Sequence, residues 1–500
     1  MTRIEDIQDV SILQQVAKMQ EREIENLLTQ VNKLYTRINA LEGHTNVQPE
    51  MLQLKELLER REQALFGDKT ERRPRPKKDS SKQPQRGHGP TAQPKLELVD
   101  KTHELASDDR DCGVCGGTLK EMKGQFEDAE EITVIERKPL IVRHRRQKYR
   151  CACNANVVTA PGPVKLMPGS RYSLEFAVEV AVSKYLDHLP LERQARIFGR
   201  EGLIVTSQSL WDLLNVLTHH ATPTYEAIGL DILTSRVIHA DETWWRLMDQ
   251  LKGSRRWWLW GMSHHAGAFY RVCEKRDNAA ALSLLKDYRG IVVVDGYASY
   301  KSLAKGGTDP PRFRLGHCWA HVRRKFVDIE NNYPVESKEM LDLIGELYLV
   351  ERELPQWDPC ASELEQAQVL SQRQELRQQK SKPIIMKIHA WLLEQRALPQ
   401  SGLGKAIAYA GNHWKGLKLF LTEPCVPLDN NPAERSLRGA VIGRKNHYGS
   451  RSKRGTEVAA VMYSLMESAK LAGVEPKAYL RKVIRRAIET PGTVTMPMDK

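Results

Sequence analysis

The sequence predicts a multidomain α+β protein with an N-terminal coiled coil, a small zinc-binding domain, a helical pair and an α/β core carrying a helical insertion. Three observations carry this expectation. A heptad seam fills the first forty residues, two cysteine pairs stand thirty-five residues apart, and two apolar runs each end on an aspartate. At 500 residues the chain is long enough for roughly three folded units of about 150 residues each. Gly and Pro are ordinary in number, and no stretch reaches the roughly 18 consecutive apolar residues of a membrane span. Collagenous and membrane-spanning classes are thereby set aside. Glu5 and Asp6 stand where a secretory leader would have its apolar run, so a cytoplasmic location is expected. Eight cysteines are too few for a disulfide scaffold, and a clustered set in a reducing compartment suits metal.

Val10, Leu13, Ala17, Gln20, Ile24, Leu27, Val31, Leu34, Ile38 and Leu41 alternate spacings of three and four. That is the period of a coiled coil, and residues 1–43 are expected to self-associate, with an amphipathic helix packed on its own core as the rival. A second helix pattern over 44–70 ends near Gly67. Residues 71–104 form a basic, proline-rich linker that cannot bury enough surface to fold. In the zinc-binding domain, 105–165, Cys112 and Cys115 precede two glycines, and Cys151 and Cys153 follow a strand-like run over 141–149. Four thiolates in two pairs meet the needs of a closed tetrahedral zinc site. Arg143, Arg145 and Arg146 make this module basic enough to touch phosphates. Residues 170–225 then read as a helix-turn-helix, with helices over 191–198 and 207–217 around a glycine-containing break, a pattern shared by any αα-hairpin.

Beyond residue 230 the pattern is mixed. Strands are expected over 237–241, 256–262 and 268–272, a helix over 279–285, and a buried strand over 291–294. The first ends on Asp241 and the last runs into Asp295. Neighbouring strand ends bring such carboxylates together, and Glu434 offers a third ligand from a helix start in which Asn431 is the expected cap and Pro432 the first residue. Oxygen donors at this density suit Mg²⁺ or Mn²⁺, and a pair of such ions supports in-line phosphoryl transfer. Singly, each acid also reads as a strand-end or helix-start feature. Jointly their order matches a ribonuclease-H-like core, in two parts over 230–327 and 402–450. The interval from Asp295 to Glu434 is 139 residues, and helices over 336–353, 361–379 and 384–395 form an insertion, 328–401, that shapes the site, grips DNA or simply packs. Cys318 and His321 have zinc-like spacing but no visible second pair. Trp244, Trp245, Trp257, Trp258 and Trp260 read as sheet packing.

The net charge of +13 is concentrated: residues 71–95 contribute +6 and residues 435–486 contribute +10, leaving the remainder slightly acidic. Two basic regions point to a polyanion through phosphate neutralisation, with a solubilising surface as the alternative. Arg435, Arg438, Arg444 and Lys445 are the candidate DNA contacts near the glutamate, and His447 and Tyr448 lie in the same basic stretch. Basic helices are expected over 451–500.

Long ordered motifs then carry a resemblance: residues 64–67 (ALFG), the Cys112/Cys115 knuckle, 149–153 (YRCAC), 184–194 (KYLDHLPLERQ), 239–243 (HADET), 294–297 (VDGY), 318–326 (CWAHVRRKF) and 429–435 (DNNPAER). The sequence resembles the DDE transposases of bacterial insertion sequences, specifically insertion-sequence family sixty-six. The resemblance implies an enzyme that cuts the ends of its own element and joins the freed 3′-hydroxyls to target DNA. It implies Asp241, Asp295 and Glu434 as the Mg²⁺-binding triad, structural Zn²⁺, and end recognition by the zinc and helix-turn-helix segments. Implied partners are the terminal inverted repeats and target DNA, a second copy of the chain, and small accessory proteins of the same element, in a nucleoid-associated setting. A catalytically silent DNA-binding regulator of the same architecture is the alternative. Thr70 and Leu186 depart from the pattern, and neither touches the triad.

Overall fold

The computed structural model describes residues 138–150, 156–249, 253–305 and 311–499, with short stretches before them, chiefly within 29–40, 54–58, 97–104 and 114–120. The chain forms two compact units, one of residues 1–65 with 138–500 and one of 66–137. Most of the heptad seam lies outside the described residues. Where it is described, Leu34 and Ile38 pack against Leu54 and Leu58, and Ile38 is buried. This end of the seam is covered by its own chain. Of the four proposed knuckle thiols, Cys112, Cys151 and Cys153 lie outside the described residues, and Cys115 is exposed.

β1 (Lys148–Arg150) and β2 (Val157–Thr159) pair antiparallel, with Tyr149 opposite Val158. Cys151 and Cys153 fall in the connection between them. The strand-like run expected over 141–149 is thus paired only at its end. Three helices follow: α1 (Leu174–Tyr185), α2 (Leu191–Arg200) and α3 (Ser207–Ile232). Ser173 and Thr206 cap α1 and α3 by accepting the N–H groups of Phe176 and Ser209 at 3.1 Å each. α3 runs fifteen residues past the end expected at Leu217 because its apolar stripe continues, with Leu210, Leu214, Leu217, Ala221, Ile228 and Ile232 all buried.

The central sheet has five strands in the order β5-β4-β3-β6-β7. They are β3 (Val237–Asp249), β4 (Gly253–Ser263), β5 (Ala268–Cys273), β6 (Ile291–Val294) and β7 (Arg314–His317). β3, β4 and β5 are antiparallel, whereas β6 and β7 extend the sheet in parallel. β3 does not stop at Asp241 as expected. Thr243, Trp244 and Trp245 favour extended backbone and pair with Leu259, Trp258 and Trp257, so the strand continues as a ribbon beyond its parallel neighbour. α4 (Asn278–Leu285) and α5 (Ala298–Lys305) bracket β6 in sequence, and α6 (Trp319–Val327) follows β7.

The insertion holds α7 (Pro334–Glu353), α8 (Glu363–Leu376), a π-helical turn (Arg377–Ser381) and α9 (Lys382–Glu394), close to the expected spans. It packs with α6 and α10 (Gly402–Leu417) around Trp319, Phe326, Met340 and Ile388, on the sheet face that carries Ile291 and Val293. α11 (Asn431–His447), α12 (Lys453–Leu471) and α13 (Pro476–Glu489) complete the chain. α12 is a core element: Ser464 Oγ accepts from Tyr270 N at 2.9 Å, and Ser468 Oγ both accepts from Ala268 N and donates to Ala268 O at 3.0 Å. The outer backbone groups of Ala268 and the N–H of Tyr270 on edge strand β5 are satisfied this way.

Candidate active site

Asp241 and Asp295 are placed by register. β3 and β6 pair as Val237–Ile291, Ile238–Val292 and His239–Val293, a constant offset of 54 residues. Asp241 and Asp295 keep that offset two residues further on, at the same level and on the same face, because side chains alternate with period two. The backbone beside each acid fixes it. Asp241 Oδ1 accepts from Glu242 N at 2.8 Å, and Asp295 Oδ1 accepts from Tyr297 N at 2.9 Å. Tyr409 of α10 donates its hydroxyl to the Asp295 carbonyl. The next residue, Gly296, has φ +110°, and a Cβ there would stand 2.7 Å from His413 Nε2. Only glycine lets the chain turn there with α10 so close.

Glu434 reaches the same face through α11. The segment before that helix is stitched down at three points: Trp319 N donates to Leu428 O at 2.9 Å, Asn430 N donates to Cys318 Sγ at 3.2 Å, and Asn430 Nδ2 donates to Ala240 O at 2.9 Å. Asn430 Oδ1 also lies 2.9 Å from His239 Nδ1. Asn430 is fully buried. The expected cap is therefore corrected by one residue: Asn431 is the first residue of the helix, and its N–H is accepted by Asp429 Oδ1 at 3.1 Å. α11 lies close to the sheet because residue 261, opposite Asp241, is glycine. A Cβ there would meet the Tyr270 ring at 3.0 Å and Leu437 Cδ2 at 3.3 Å.

The electrostatics show that these acids share a field. Asp241 is held well above the usual carboxylate range, first by burial, then by the charges of Glu242, Asp295 and Glu434. Glu242 was missed as a participant by sequence reasoning. Its side chain is fully buried on the opposite face, where it accepts from Arg276 Nε at 2.9 Å and from Tyr300 Oη at 2.9 Å. Burial still leaves its pKa raised. Arg276 is thus engaged by Glu242, and Asp241, Asp295 and Glu434 carry a surplus of negative charge made of hard oxygen donors. Oxygen donors of this kind suit Mg²⁺ or Mn²⁺, but among the described residues the group whose ligand atoms converge within 4.8 Å is Cys318, His321 and Glu434, not the three acids. His321 Nδ1 lies 3.7 Å from Glu434 Oε1.

The candidate phosphate contacts divide. Arg435, Arg438 and Lys445 are exposed on α11, and Arg143, Arg145 and Arg146 are exposed before β1, with Arg146 Nε donating to Ala160 O at 2.7 Å. Arg444 differs from expectation. It is 6% exposed, its Nη1 donates to Thr243 Oγ1 at 3.0 Å and to the Trp244 carbonyl, and its guanidinium lies 3.8 Å from the Trp244 ring centre. Burial and the nearby Arg246 bring its pKa down to about 10. Trp244 itself is 38% exposed, whereas Trp245 and Trp260 are fully buried, as sheet packing requires. His447 is also interior: burial drives its pKa down to about 3, and it contacts Tyr463 Oη at 3.2 Å. Tyr448 is exposed in the left-handed region at the end of α11.

Comparison with known proteins gives the family of the chain. The profile described as "Transposase IS66 family" matches residues 169–458, and that described as "zinc-finger binding domain of transposase IS66" matches residues 109–154. Among curated proteins, the uncharacterized protein y4jD of Sinorhizobium fredii is 31% identical over 409 residues, covering 78% of this chain and 77% of its own. The uncharacterized proteins y4hP and y4qI of the same organism are 26% and 28% identical over 81% and 84% of this chain, and 75% and 76% of their own. Among the described residues, no helix is long and apolar enough to cross a membrane.

Proposed function

Because the chain belongs to the IS66 family of transposases, we propose that it cleaves DNA at the ends of an insertion sequence and transfers the freed strands to target DNA, using Asp241, Asp295 and Glu434. The observation that carries this reading is the shared register of Asp241 and Asp295, together with the tether at Asn430 that delivers Glu434 to their face. The strand order, with three antiparallel strands followed by two parallel ones, supports the reading of a ribonuclease-H-like core. Mg²⁺ held by the three carboxylates would activate the attacking oxygen and stabilise the leaving one. The residues of the chain supply the rest: β3 and β6 set the carboxylate spacing, and α11 presents Arg435 and Arg438 beside Glu434 for the backbone phosphates.

Structural zinc accords with the zinc-finger match. We assign its ligands as Cys112, Cys115, Cys151 and Cys153, and assign end recognition to this domain together with α2 and α3. Lys445 and the basic stretch around Arg143 and Arg145 supply further phosphate neutralisation, so binding should weaken steeply with salt. Arg444 acts differently, by holding Trp244 at the foot of the β3–β4 ribbon. Two element ends require at least two copies of the chain, and small accessory proteins of the element and a nucleoid location belong to the same reading.

The test is incubation of a labelled terminal-repeat duplex with the full chain and Mg²⁺. Nicks at the element end and joined products are expected. Asp295→Asn should abolish both and leave DNA affinity within about twofold. Retained nicking in that variant, or binding without any reaction by the wild type, contradicts the assignment, and the latter outcome fits a silent regulator.

A further inference from the structure

Cys318 Sγ, His321 and Glu434 offer ligand atoms that all lie within 4.8 Å of one another. Three local features single out this cluster. Cys318 precedes the first turn of α6, and its sulfur accepts from Asn430 N at 3.2 Å, with the backbone N–H groups of Ala320 and His321 directed at it as well. Burial nonetheless keeps that sulfur a neutral thiol, its pKa pushed up to about 11, so a metal would have to displace its proton. His321 Nδ1 is buried without a hydrogen-bond partner and faces Glu434 Oε1. The spacing from Cys318 to His321 places both donors on one turn, as in knuckle-type zinc sites.

We propose that Cys318, His321 and Glu434 bind a second Zn²⁺-class ion, distinct from the knuckle zinc, with solvent in the fourth position. A contraction of about an ångström brings the donors to metal-ligand lengths of about 2.0–2.3 Å. The Cys318 proton leaves to solvent on binding. Glu434 is common to this site and the proposed nuclease centre, with Oε1 the oxygen that lies 3.7 Å from His321 Nδ1. The soft ion would fix the rotamer of the glutamate and thereby the position of the hard one.

The experiment measures bound zinc per full chain, and the sulfur-to-metal absorption after replacement with Co²⁺, with no DNA present. About two zinc equivalents are expected for the wild type, and about one for each of Cys318→Ala and His321→Ala. A chain with Cys112, Cys115, Cys151 and Cys153 changed to Ser should keep about one equivalent and a one-thiolate Co²⁺ band. Should that chain fail to fold by circular dichroism, the single variants in the intact background decide. A wild type holding only one equivalent, unchanged by Cys318→Ala and His321→Ala, overturns the proposal. Loss of nicking alone, with the second equivalent retained, would sink the nuclease reading and leave this site standing.

Discussion

At the residue scale, Asn430 is the side chain on which the site most depends. It is buried, binds His239 and Ala240 of β3 through its amide, and binds Cys318 through its backbone. Asn430→Ala leaves the His239 ring and the Ala240 carbonyl buried without partners, at a cost of about 1–3 kcal/mol each. A fall of that size in urea unfolding is expected, together with loss of nicking at unchanged DNA affinity. A variant as stable and as active as the wild type would show that Glu434 is held by something else. The places of Asp295 after β6 and of Glu434 in the first turn of a Pro-started helix were legible from sequence, whereas Asp241 lies inside a strand that continues past it. Which of two adjacent asparagines does the tethering was not legible, since only the tertiary contact with β3 distinguishes them. The same limit applies to Arg444, because charge counting does not say whether a guanidinium faces water or a tryptophan.

Among the elements, the boundaries that moved share one cause. β3 and α3 run past their expected ends because partners distant in sequence, Trp257 and Trp258 for the strand and Phe269 and Tyr270 for the helix, continue to bury them. The insertion helices were legible because each is bounded by local signals, such as the Ser362–Glu365 capping box and Pro334 in the first turn of α7. A different contact ties the sheet together: Glu423 accepts from Arg236, next to β3, at 2.6 Å and from Arg314 of β7 at 2.7 Å. Burial pushes its carboxyl up, but the two arginines outweigh burial and leave it below the ordinary value. A depressed folded-state pKa contributes stability above the unfolded value of about 4.3 and loses it as pH falls through the folded one. Both arginines are about half exposed, so solvent screening limits the effect to no more than about 1 kcal/mol. Glu423→Gln should therefore lower the melting temperature at pH 7, and the difference should close as pH falls below about 4. An undiminished gap at low pH would show that the glutamate acts by packing alone.

At the scale of the whole molecule, the central sheet is finished by the end of the chain. The serines of α12 bond outer backbone groups of Ala268 and Tyr270 on β5, and Thr495 beyond α13 donates its N–H to Thr224 Oγ1 of α3 at 3.1 Å. The basic C-terminal helices, whose charge points to a polyanion, are thus largely structural on their inner side. Deletion of residues 453–500 should leave β5 as an open edge and give an aggregating chain. The milder Ser464→Ala/Ser468→Ala pair should stay soluble, with faster amide hydrogen exchange at Ala268 and Tyr270. Unchanged exchange there would mean the edge is guarded by other groups.

The shared level of Asp241 and Asp295 has a consequence for the safety of the cell. A slip of one position between β3 and β6 would swing Asp295 to the far side of the sheet, and Glu434 is synthesised 193 residues after Asp241. On the proposed function, a nascent or misthreaded chain would therefore present isolated acids and no cutting centre, and cleavage would wait until the last helices had locked the sheet in place.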